Sequence, residues 1–310
     1  MADRELKQVL IPDVLVGERV DSALSKLLGL SRTLIIDLIE VGDITKKSKR
    51  ITKSQKVELG DHFEVLLPEV KVKGVLTPTP IDNLKVIYDD ADIIVVDKPV
   101  GVAAHASPGW EGPTVIGAII AAGYEINTSG VAERQGIVQR LDVGTSGLMV
   151  VAKNEFSYSA MKDQFRNRLV KKTYHAMIQG HMDPSEGTID APLDRHPRDD
   201  YKFAVTSGGK PSITHYRSIE FFPAVSLLEI ELETGRTHQI RVHFSALRHP
   251  LVGDLIYGAD HTLAKRLEIT RPWLHACNLE FKHPRTGSLL SFASKYPADL
   301  TRTLEILRNS

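Results

Sequence analysis

The sequence has little of several features on which whole classes of protein depend. Its 310 residues include one cysteine, Cys277, so neither a disulfide within the chain nor a zinc site of several thiolates can form, and we expect a reducing, cytoplasmic location. No apolar run approaches the roughly 20 residues of a membrane-spanning helix, so no membrane partner is expected. The formal net charge is zero, because 39 Lys and Arg residues balance 39 Asp and Glu residues. That balance argues at first against a nucleic-acid partner.

The amount of apolar sequence predicts a folded chain with more than one domain. Hydrophobic residues make up 42% and charged residues 25%, which is ordinary for a globular protein. The length exceeds the roughly 250 residues at which single cores stop growing. Three prolines and a glycine in residues 68–83 interrupt any periodic pattern, which indicates a linker. We therefore place an N-terminal extension at 1–15, a small domain at 16–68, a linker at 69–83 and a larger domain at 84–310.

The charges are unevenly distributed, which removes the argument from net charge. Residues 43–56 hold six cations and one acid, residues 162–172 hold five cations and one acid, and residues 236–248 hold three arginines and no acid. Phosphate groups attract such stretches whatever the base sequence. One basic stretch is usually a solvated surface, but three separate stretches favour a nucleic-acid partner.

The small domain has the pattern of an RNA-binding module. Two short helical patterns precede the basic stretch at 43–56, and a strand-like segment with a Gly60-Asp61 turn follows it. The residues Ser31-Arg32, Gly42-Asp43-Ile44 and Leu59-Gly60-Asp61 resemble those of the S4 domain. In that family the paired helices and the following loop hold structured RNA, so the resemblance implies RNA contacts by Lys46, Lys47 and Arg50. One departure is Lys47-Ser48, which stands where an Asn-Gly turn is usual.

The larger domain predicts an α+β fold with a mostly antiparallel sheet. Residues 84–88 and 92–97 form two strand patterns joined by an Asp89-Asp90 turn, which is a hairpin and not a β-α-β crossover. Residues 228–233 alternate apolar and acidic side chains, as a half-buried strand does. Helical patterns are interspersed without the regular alternation that a parallel sheet requires.

The main chemical candidate is Asp142, which lies in a turn rich in Gly, Thr and Ser. A carboxylate on such a loop can act as a nucleophile or a base, but an aspartate that caps its own turn is the more ordinary interpretation. Ser146 is a weaker candidate, because Gly144-Thr-Ser-Gly does not have the G-x-S-x-G order of a nucleophile elbow. The local spacing alone therefore favours the interpretation of Asp142 as an aspartate that stabilises its own turn.

An ordered set of motifs changes that balance. The motifs are Asp97-Lys-Pro-Val-Gly-Val, Gln139-Arg-Leu-Asp-Val-Gly-Thr-Ser-Gly, Val170-Lys-Lys-Thr-Tyr, Glu233-Thr-Gly-Arg-Thr-His-Gln-Ile-Arg-Val-His and Leu274-His-Ala. In this order they resemble the RluA-type pseudouridine synthases over nearly the whole chain. With the S4-like segment in front, the sequence is similar to the subgroup D enzymes of the large ribosomal subunit.

The resemblance implies a catalytic group of three residues. Asp142 is the essential carboxylate, which could attack the sugar, attack the base or abstract a sugar proton. Arg241 pairs with it and offsets the cost of keeping a carboxylate ionised in a pocket. Tyr174 stacks on the uracil, and its hydroxyl could act on the C5 proton. Because the isomerisation is redox-neutral and adds no group, we expect neither a cofactor nor a metal.

The resemblance also implies the residues that bind RNA in the larger domain. The target base must leave its stack, and Arg140 is placed to fill the vacancy. Leu274 matches an apolar residue under the substrate base, although a core leucine is nearly as good an interpretation. Lys172, Arg236 and His238 are further expected contacts. The partner is structured RNA, which we take to be large-subunit ribosomal RNA or its precursor particle, bound by a monomer.

Three other functions deserve a comparison with the synthase. A metal hydrolase is disfavoured because His238 and His243 are five residues apart, which does not place them on one helix face, even with His249 and Asp254 nearby. A uracil methyltransferase would need a cysteine nucleophile and a glycine-rich cofactor loop. The remaining alternative is a catalytically weak or inactive RNA-binding or ribosome-assembly factor. It is favoured by Gln139, a side chain without charge where the family usually has histidine.

Overall fold

The described part of the chain forms two compact units. The structure is a computed structural model that describes residues 6–28, 32–67, 79–81, 84–106, 110–126 and 135–309, without the side chains of residues 32–34 and 200. One unit spans Met1–Val75 and the other Leu76–Ser310. The division falls within the predicted linker at 69–83, most of which lies outside the described residues.

The first unit packs two helices against a small antiparallel sheet. Its elements are β1 (Leu6–Leu10), α1 (Val20–Leu28), α2 (Arg32–Val41), β2 (Ile44–Lys46), β3 (Lys49–Arg50) and β4 (His62–Leu66). The strand order is β1-β4-β2-β3. Leu24, Ile35 and Phe63 form the centre of its core. Helix α2 ends at Val41, and the next residue, Gly42, has a φ of +90° that lets the N–H of Asp43 reach the carbonyl of Leu38 at 2.9 Å.

The N-terminal segment corrects one predicted boundary. Residues 6–15 lie in the proposed extension at 1–15, but β1 pairs with β4 along its whole length. Val9, Ile11 and Leu15 are buried in the core of the unit. The sequence does not reveal that this segment belongs to the small domain, because its strand is short and buries a single side chain. Such a strand has little periodic pattern. It is part of the first unit.

The basic hairpin of the first unit keeps the geometry that an Asn-Gly turn would give. Lys47 and Ser48 connect β2 to β3, and both have a positive φ, of 51° and 59°. Two successive residues in that conformation match the twist of a hairpin. Lys47, Lys49 and Arg50 are exposed there, while Lys46 pairs with Asp61 at 2.6 Å.

The second unit contains eleven strands and five α-helices among its described residues. Its strands are β5 (Lys85–Asp89), β6 (Ile93–Lys98), β7 (Ser146–Ala152), β8 (Lys171–Gln179), β9 (Glu186–Asp190), β10 (Leu193–His196), β11 (Asp199–Val205), β12 (Ile213–Phe221), β13 (Val225–Leu232), β14 (Leu274–Lys282) and β15 (Leu289–Ala293). Its helices are α3 (Val115–Ala121), α4 (Glu155–Arg166), α5 (Gln239–Ala246), α6 (His261–Arg266) and α7 (Ala298–Arg308).

Nine of these strands form one sheet, which confirms the predicted α+β fold. Their order is β5-β6-β7-β14-β8-β13-β12-β9, with β15 on β14, while β10 and β11 form a separate ribbon. Among the described strands only β7 and β14 pair in parallel. Gly147 permits that pairing, because a Cβ there would lie 2.3 Å from the carbonyl oxygen of Ala276. The predicted hairpin is β5 and β6.

The two faces of the sheet carry separate cores, and one of them leads to the candidate site. Tyr174 and Ala176 of β8 pack in the cluster that also contains Phe244 of α5. Met177, the next residue along β8, packs with Trp273 and with α7 on the other face. The alternation along β8 therefore directs Tyr174 towards the face that α5 covers. Within the described ranges, no helix is both long and apolar enough to cross a bilayer.

Helix α5 buries only part of its apolar sequence. Ile240 and Phe244 are buried, but Leu247, which directly follows the helix, is 43% exposed. The basic stretch at 236–248 is also not a continuous surface, because Arg241 and His243 are buried. Both side chains have protein partners. Arg241 donates to Asp254, and the ring of His243 contacts the hydroxyl of Thr214 and the carbonyl of Ala191.

Candidate active site

An inner pocket lies between the loop before β7, strands β8 and β14, and the loop before α5. It brings together seven of the predicted site residues, Arg140, Asp142, Tyr174, Arg236, His238, Arg241 and Leu274. An eighth, Lys172, lines the outer cleft described below. Lys46, Lys47 and Arg50 belong to the first unit. The motifs are far apart in the sequence, and this fold collects them.

The carboxylate of Asp142 is directed into the inner pocket. Its backbone carbonyl, and not its side chain, accepts the turn hydrogen bond from the N–H of Thr145 at 2.9 Å. The side chain is 16% exposed, with Oδ2 3.6 Å from Nη1 of Arg241 and 3.8 Å from Nε2 of His238. The N–H of Gly101 holds the same loop through the carbonyl of Val143. This geometry favours a chemical role over that of an ordinary turn aspartate.

Arg241 lies between two carboxylates. Its Nε and Nη2 donate to Asp254 at 2.7 and 2.9 Å, which leaves Nη1 facing Asp142. The guanidinium also lies 4.8 Å from the centre of the Tyr257 ring. Burial lowers the pKa of Arg241, but the hydrogen bonds and charge of Asp254 outweigh it and raise the pKa above its usual value. The guanidinium is therefore a fixed cation beside Asp142.

Asp254 is a site residue that the sequence motifs do not reveal. It lies in the apolar run 250–257, outside every motif, and its side chain is almost fully buried. A charge buried among apolar residues requires a partner, and that was the one available signal. From the sequence Asp254 could be considered only as a metal ligand, whereas the structure shows that its carboxylate binds Arg241.

His238 directly precedes α5 and has a strained backbone conformation. Its φ of 57° is in the left-handed region, and its Nδ1 lies 2.8 Å from the hydroxyl of Tyr257. Burial lowers the pKa of His238 against the opposing charge of Asp142, so the imidazole is neutral at neutral pH. Gln239 fixes the loop before it by accepting from the N–H of Arg236 and the hydroxyl of Thr234. The Thr-His-Gln sequence thus sets the position of His238.

Tyr174 and Leu274 form apolar walls of the pocket. They belong to neighbouring strands, β8 and β14, and both are also part of the core cluster on this face. Burial, followed by the charge of Asp142, raises the pKa of Tyr174, so its phenol stays protonated. A phenol in that state offers a ring for stacking but is a poor base.

Two buried basic side chains, Lys98 and Arg271, hold backbone carbonyls near Asp142 and at the start of β14. Lys98 donates to the carbonyls of Pro99 and Val102, and burial lowers its pKa to about 7 against the charge of Asp142. Arg271 is bidentate to Asp299 of α7. Its Nη1 also donates to the carbonyls of Leu274 at 3.1 Å and Gly144 at 3.3 Å. Lys98 belongs to the motif Asp97-Lys-Pro-Val-Gly-Val, whereas Arg271 lies outside every motif.

The outer cleft adjoins the inner pocket and has a volume of about 650 Å³. It shares Arg140, Tyr174 and Arg236 with the pocket. Burial and the charge of Arg168 lower the pKa of Lys172, which lines the cleft, to about 8. The cations of the cleft are Arg140, Arg166, Arg168, Lys172 and Arg236. The basic stretch at 162–172 thus supplies three of them.

Within the described part of the chain, Arg140 and Arg236 contact uncharged groups and form no ion pair. Nη1 of Arg140 lies 3.4 Å from the hydroxyl of Thr237, and the side chain is exposed. Nε of Arg236 donates to the carbonyl of Pro211 at 3.2 Å. Arg140 is therefore not held by a salt bridge to a described residue of its own loop.

The described residues contain one group whose ligand atoms could surround a metal ion, and it is a structural network. Asp90, Asp92 and His283 bring their ligand atoms within 4.8 Å of one another. Nε2 of His283 already donates to Asp90, and Arg285 is bidentate to Asp92 at 2.6 Å. A guanidinium in that place opposes a cation. Cys277 is equally unsuited to a methyltransferase, because burial raises its pKa to about 11.

Comparison with known proteins agrees with this geometry. The pattern of the family described as RNA pseudouridylate synthase matches residues 92–246. An uncharacterized RNA pseudouridine synthase of Mycobacterium tuberculosis is 54% identical over 308 residues, 99% of each chain. A ribosomal large subunit pseudouridine synthase D of Xanthomonas campestris is 37% identical over 99% of this chain and 94% of its own. The solved structure of human RNA pseudouridylate synthase domain containing 1 is 27% identical with a TM-score of 0.56, and covers 75% of this chain and 98% of its own.

Proposed function

Because the chain belongs to the RNA pseudouridine synthase family, whose members are isomerases that act on RNA, we propose that it isomerises uridines of large-subunit ribosomal RNA. Relatives named ribosomal large subunit pseudouridine synthase D, 36–37% identical over nearly the whole chain, support that substrate. The observation that carries the proposal is the Asp142–Arg241 pair in a pocket that opens beside a basic cleft. We further propose a monomer that acts in the cytoplasm on free or particle-bound RNA.

We propose that Asp142 is the catalytic carboxylate of this reaction. The reaction breaks the N1–C1′ bond, forms the C5–C1′ bond, and replaces the proton lost from C5 by one gained at N1, so it needs no other reactant. Nη1 of Arg241 places a positive charge beside the carboxylate of Asp142, and the position of Arg241 is set by its two hydrogen bonds to Asp254. The uracil would stack on the ring of Tyr174 with Leu274 beside it. The raised pKa of Tyr174 argues against a phenolate that removes the C5 proton.

The cations around the pocket suit a flipped nucleotide. We propose that Arg140, exposed and held by a single long contact to Thr237, moves into the space that the uridine leaves. Arg236 and Lys172 would then contact phosphates on either side of it, since both line the cleft that joins the pocket. His238 would contact the nucleotide as a neutral donor or acceptor. Gln139 also lines this cleft but does not line the inner pocket, in which Asp142 faces Arg241.

The test of this function uses ribosomal RNA and the full chain. We expect the purified protein to form pseudouridine at a small number of positions in unmodified large-subunit ribosomal RNA. Chemical modification of pseudouridine followed by reverse transcription maps those positions. Small-subunit ribosomal RNA in a parallel reaction is the control for substrate choice. Absence of pseudouridine in the large-subunit RNA, with product in the control, would show that the substrate assignment is wrong.

We also propose that the first unit is an S4-like module that binds RNA phosphates with its basic hairpin. The hairpin exposes Lys47, Lys49 and Arg50 on a turn of fixed geometry, which supports this role. Changing Lys47 and Lys49 to glutamine is expected to flatten the dependence of log Kd on log salt by about 0.7–0.9 per lost phosphate contact. Filter binding at several salt concentrations measures that slope. Lys26→Gln, in which the lysine already pairs with Glu18 at 2.6 Å, is the matched control, and an equal slope in all three proteins would refute the role.

A further inference from the structure

The outer cleft contains an acidic side chain among its cations. Glu233 is the sole carboxylate among the described residues that line it, against five basic side chains. It directly follows Leu232, the last residue of β13, in the loop that leads to α5. A negative charge in a cleft that suits a polyanion opposes binding of that polyanion. Its position therefore requires a physical reason.

The Glu233 carboxylate is held by two nitrogen donors. Nη1 of Arg168 lies 2.5 Å from Oε2, and Nε2 of His215 lies 2.9 Å from Oε1. The other ring nitrogen of His215 is fixed by the hydroxyl of Thr188 at 2.8 Å. Arg168 thus contacts one oxygen of the carboxylate and His215 contacts the other, and two oxygens of an RNA phosphate could occupy the same places.

The Arg168–Glu233 contact is accessible enough to be exchanged. The two side chains are 50% and 37% exposed, and ion pairs at that exposure are weak. Arg168 lies close enough to Lys172 for its charge to lower the pKa of that lysine, so two cations would meet an incoming phosphate together. A phosphate at this place would thus be attracted by Arg168 and Lys172 at once.

We propose that Glu233 takes the place of an RNA phosphate in the free protein and is displaced from Arg168 when RNA enters the outer cleft. The inference rests on the proposed function, because it takes RNA as the ligand of that cleft. Every RNA must displace the carboxylate, but an RNA that also fills the inner pocket recovers the loss. Glu233 is then a specificity-determining residue that limits binding to RNA without a target uridine.

Glu233→Gln tests the inference, because it removes the charge and keeps the shape. The probes are a structured transcript of a large-subunit ribosomal RNA domain and an unrelated stem-loop, both at pH 7, where Lys172 is charged. We expect the variant to bind the unrelated stem-loop about fivefold more tightly than the unchanged protein does. The ribosomal transcript should gain less, so that the ratio of the two affinities falls. The slope of log Kd against log salt should steepen by up to about 0.9.

Two further variants separate this role from a purely structural one. Glu220→Gln breaks a comparable exposed pair, Arg308–Glu220 at 2.6 Å, outside the cleft and should change neither affinity. Arg168→Gln should weaken RNA binding. Adding Glu233→Gln to that variant should restore little of the lost affinity, because no arginine is left at this place for the carboxylate to cover. Binding by Glu233→Gln that is equal to or weaker than that of the unchanged protein overturns the inference. An unchanged protein without synthase activity would instead refute the proposed function.

Discussion

Asp142→Asn is expected to lower the single-turnover rate of pseudouridine formation by about 10⁴-fold, the scale on which an essential catalytic side chain acts. The amide has nearly the shape of the carboxylate but can neither accept a proton nor attack as an anion. Because Asp142 forms its turn through its backbone carbonyl and is partly exposed, the loop should keep its conformation. Mapping of pseudouridine in large-subunit ribosomal RNA over a time course measures the rate.

Binding and folding measurements distinguish chemistry from damage in that variant. RNA affinity should stay the same or increase slightly, because a negative charge beside the substrate has been removed. The thermal unfolding midpoint should change little. A matched control is Asp163→Asn, an exposed aspartate of α4 that pairs with Arg166 at 2.8 Å, for which we expect the unchanged rate. An Asp142→Asn variant that forms pseudouridine as fast as the unchanged protein would remove Asp142 from the mechanism.

The sequence predicts the parts of this protein whose signals are local or belong to a motif. Strict alternation predicted β13, and two acids between apolar runs predicted the β5–β6 hairpin, because period and turn chemistry act over a few residues. The motif order predicted which residues would meet in the pocket, and seven of them do so. Local spacing around Asp142 could not decide its role, since that depends on Arg241, about a hundred residues away.

The features that the sequence missed depend on contacts between distant segments. Asp254 and Arg271 lie outside all motifs, and only the packing of β14, α5 and α7 shows that they hold Arg241 and the start of β14. The basic stretch at 236–248 misleads for the same reason, because charge counts do not reveal that Arg241 faces two carboxylates. β1 was assigned to an extension because the strand becomes part of a sheet only through β4, more than fifty residues later.

Asp254→Asn is expected to reduce both stability and rate, which makes it the most informative change outside Asp142. Removing one charge of a buried, bidentate pair leaves Arg241 undercompensated and should lower the free energy of unfolding by about 3 kcal/mol. The guanidinium would then turn towards Asp142, the remaining carboxylate within reach, and pair with it more closely. A carboxylate engaged in that way is a weaker base or nucleophile, so we expect a single-turnover rate about 100-fold lower. Urea denaturation and single-turnover mapping of pseudouridine measure the two effects separately.

The matched control for Asp254→Asn is Asp92→Asn. Asp92 is also buried and bidentate to an arginine, Arg285 at 2.6 Å, but it belongs to the network with Asp90 and His283 and does not line the pocket. We expect its loss to lower stability while the folded enzyme keeps its rate. If Asp254→Asn likewise lost stability and kept its rate, Asp254 would serve the fold alone. A rate loss confined to Asp254→Asn, measured where both variants are fully folded, would show that the carboxylate sets the distance between Arg241 and Asp142.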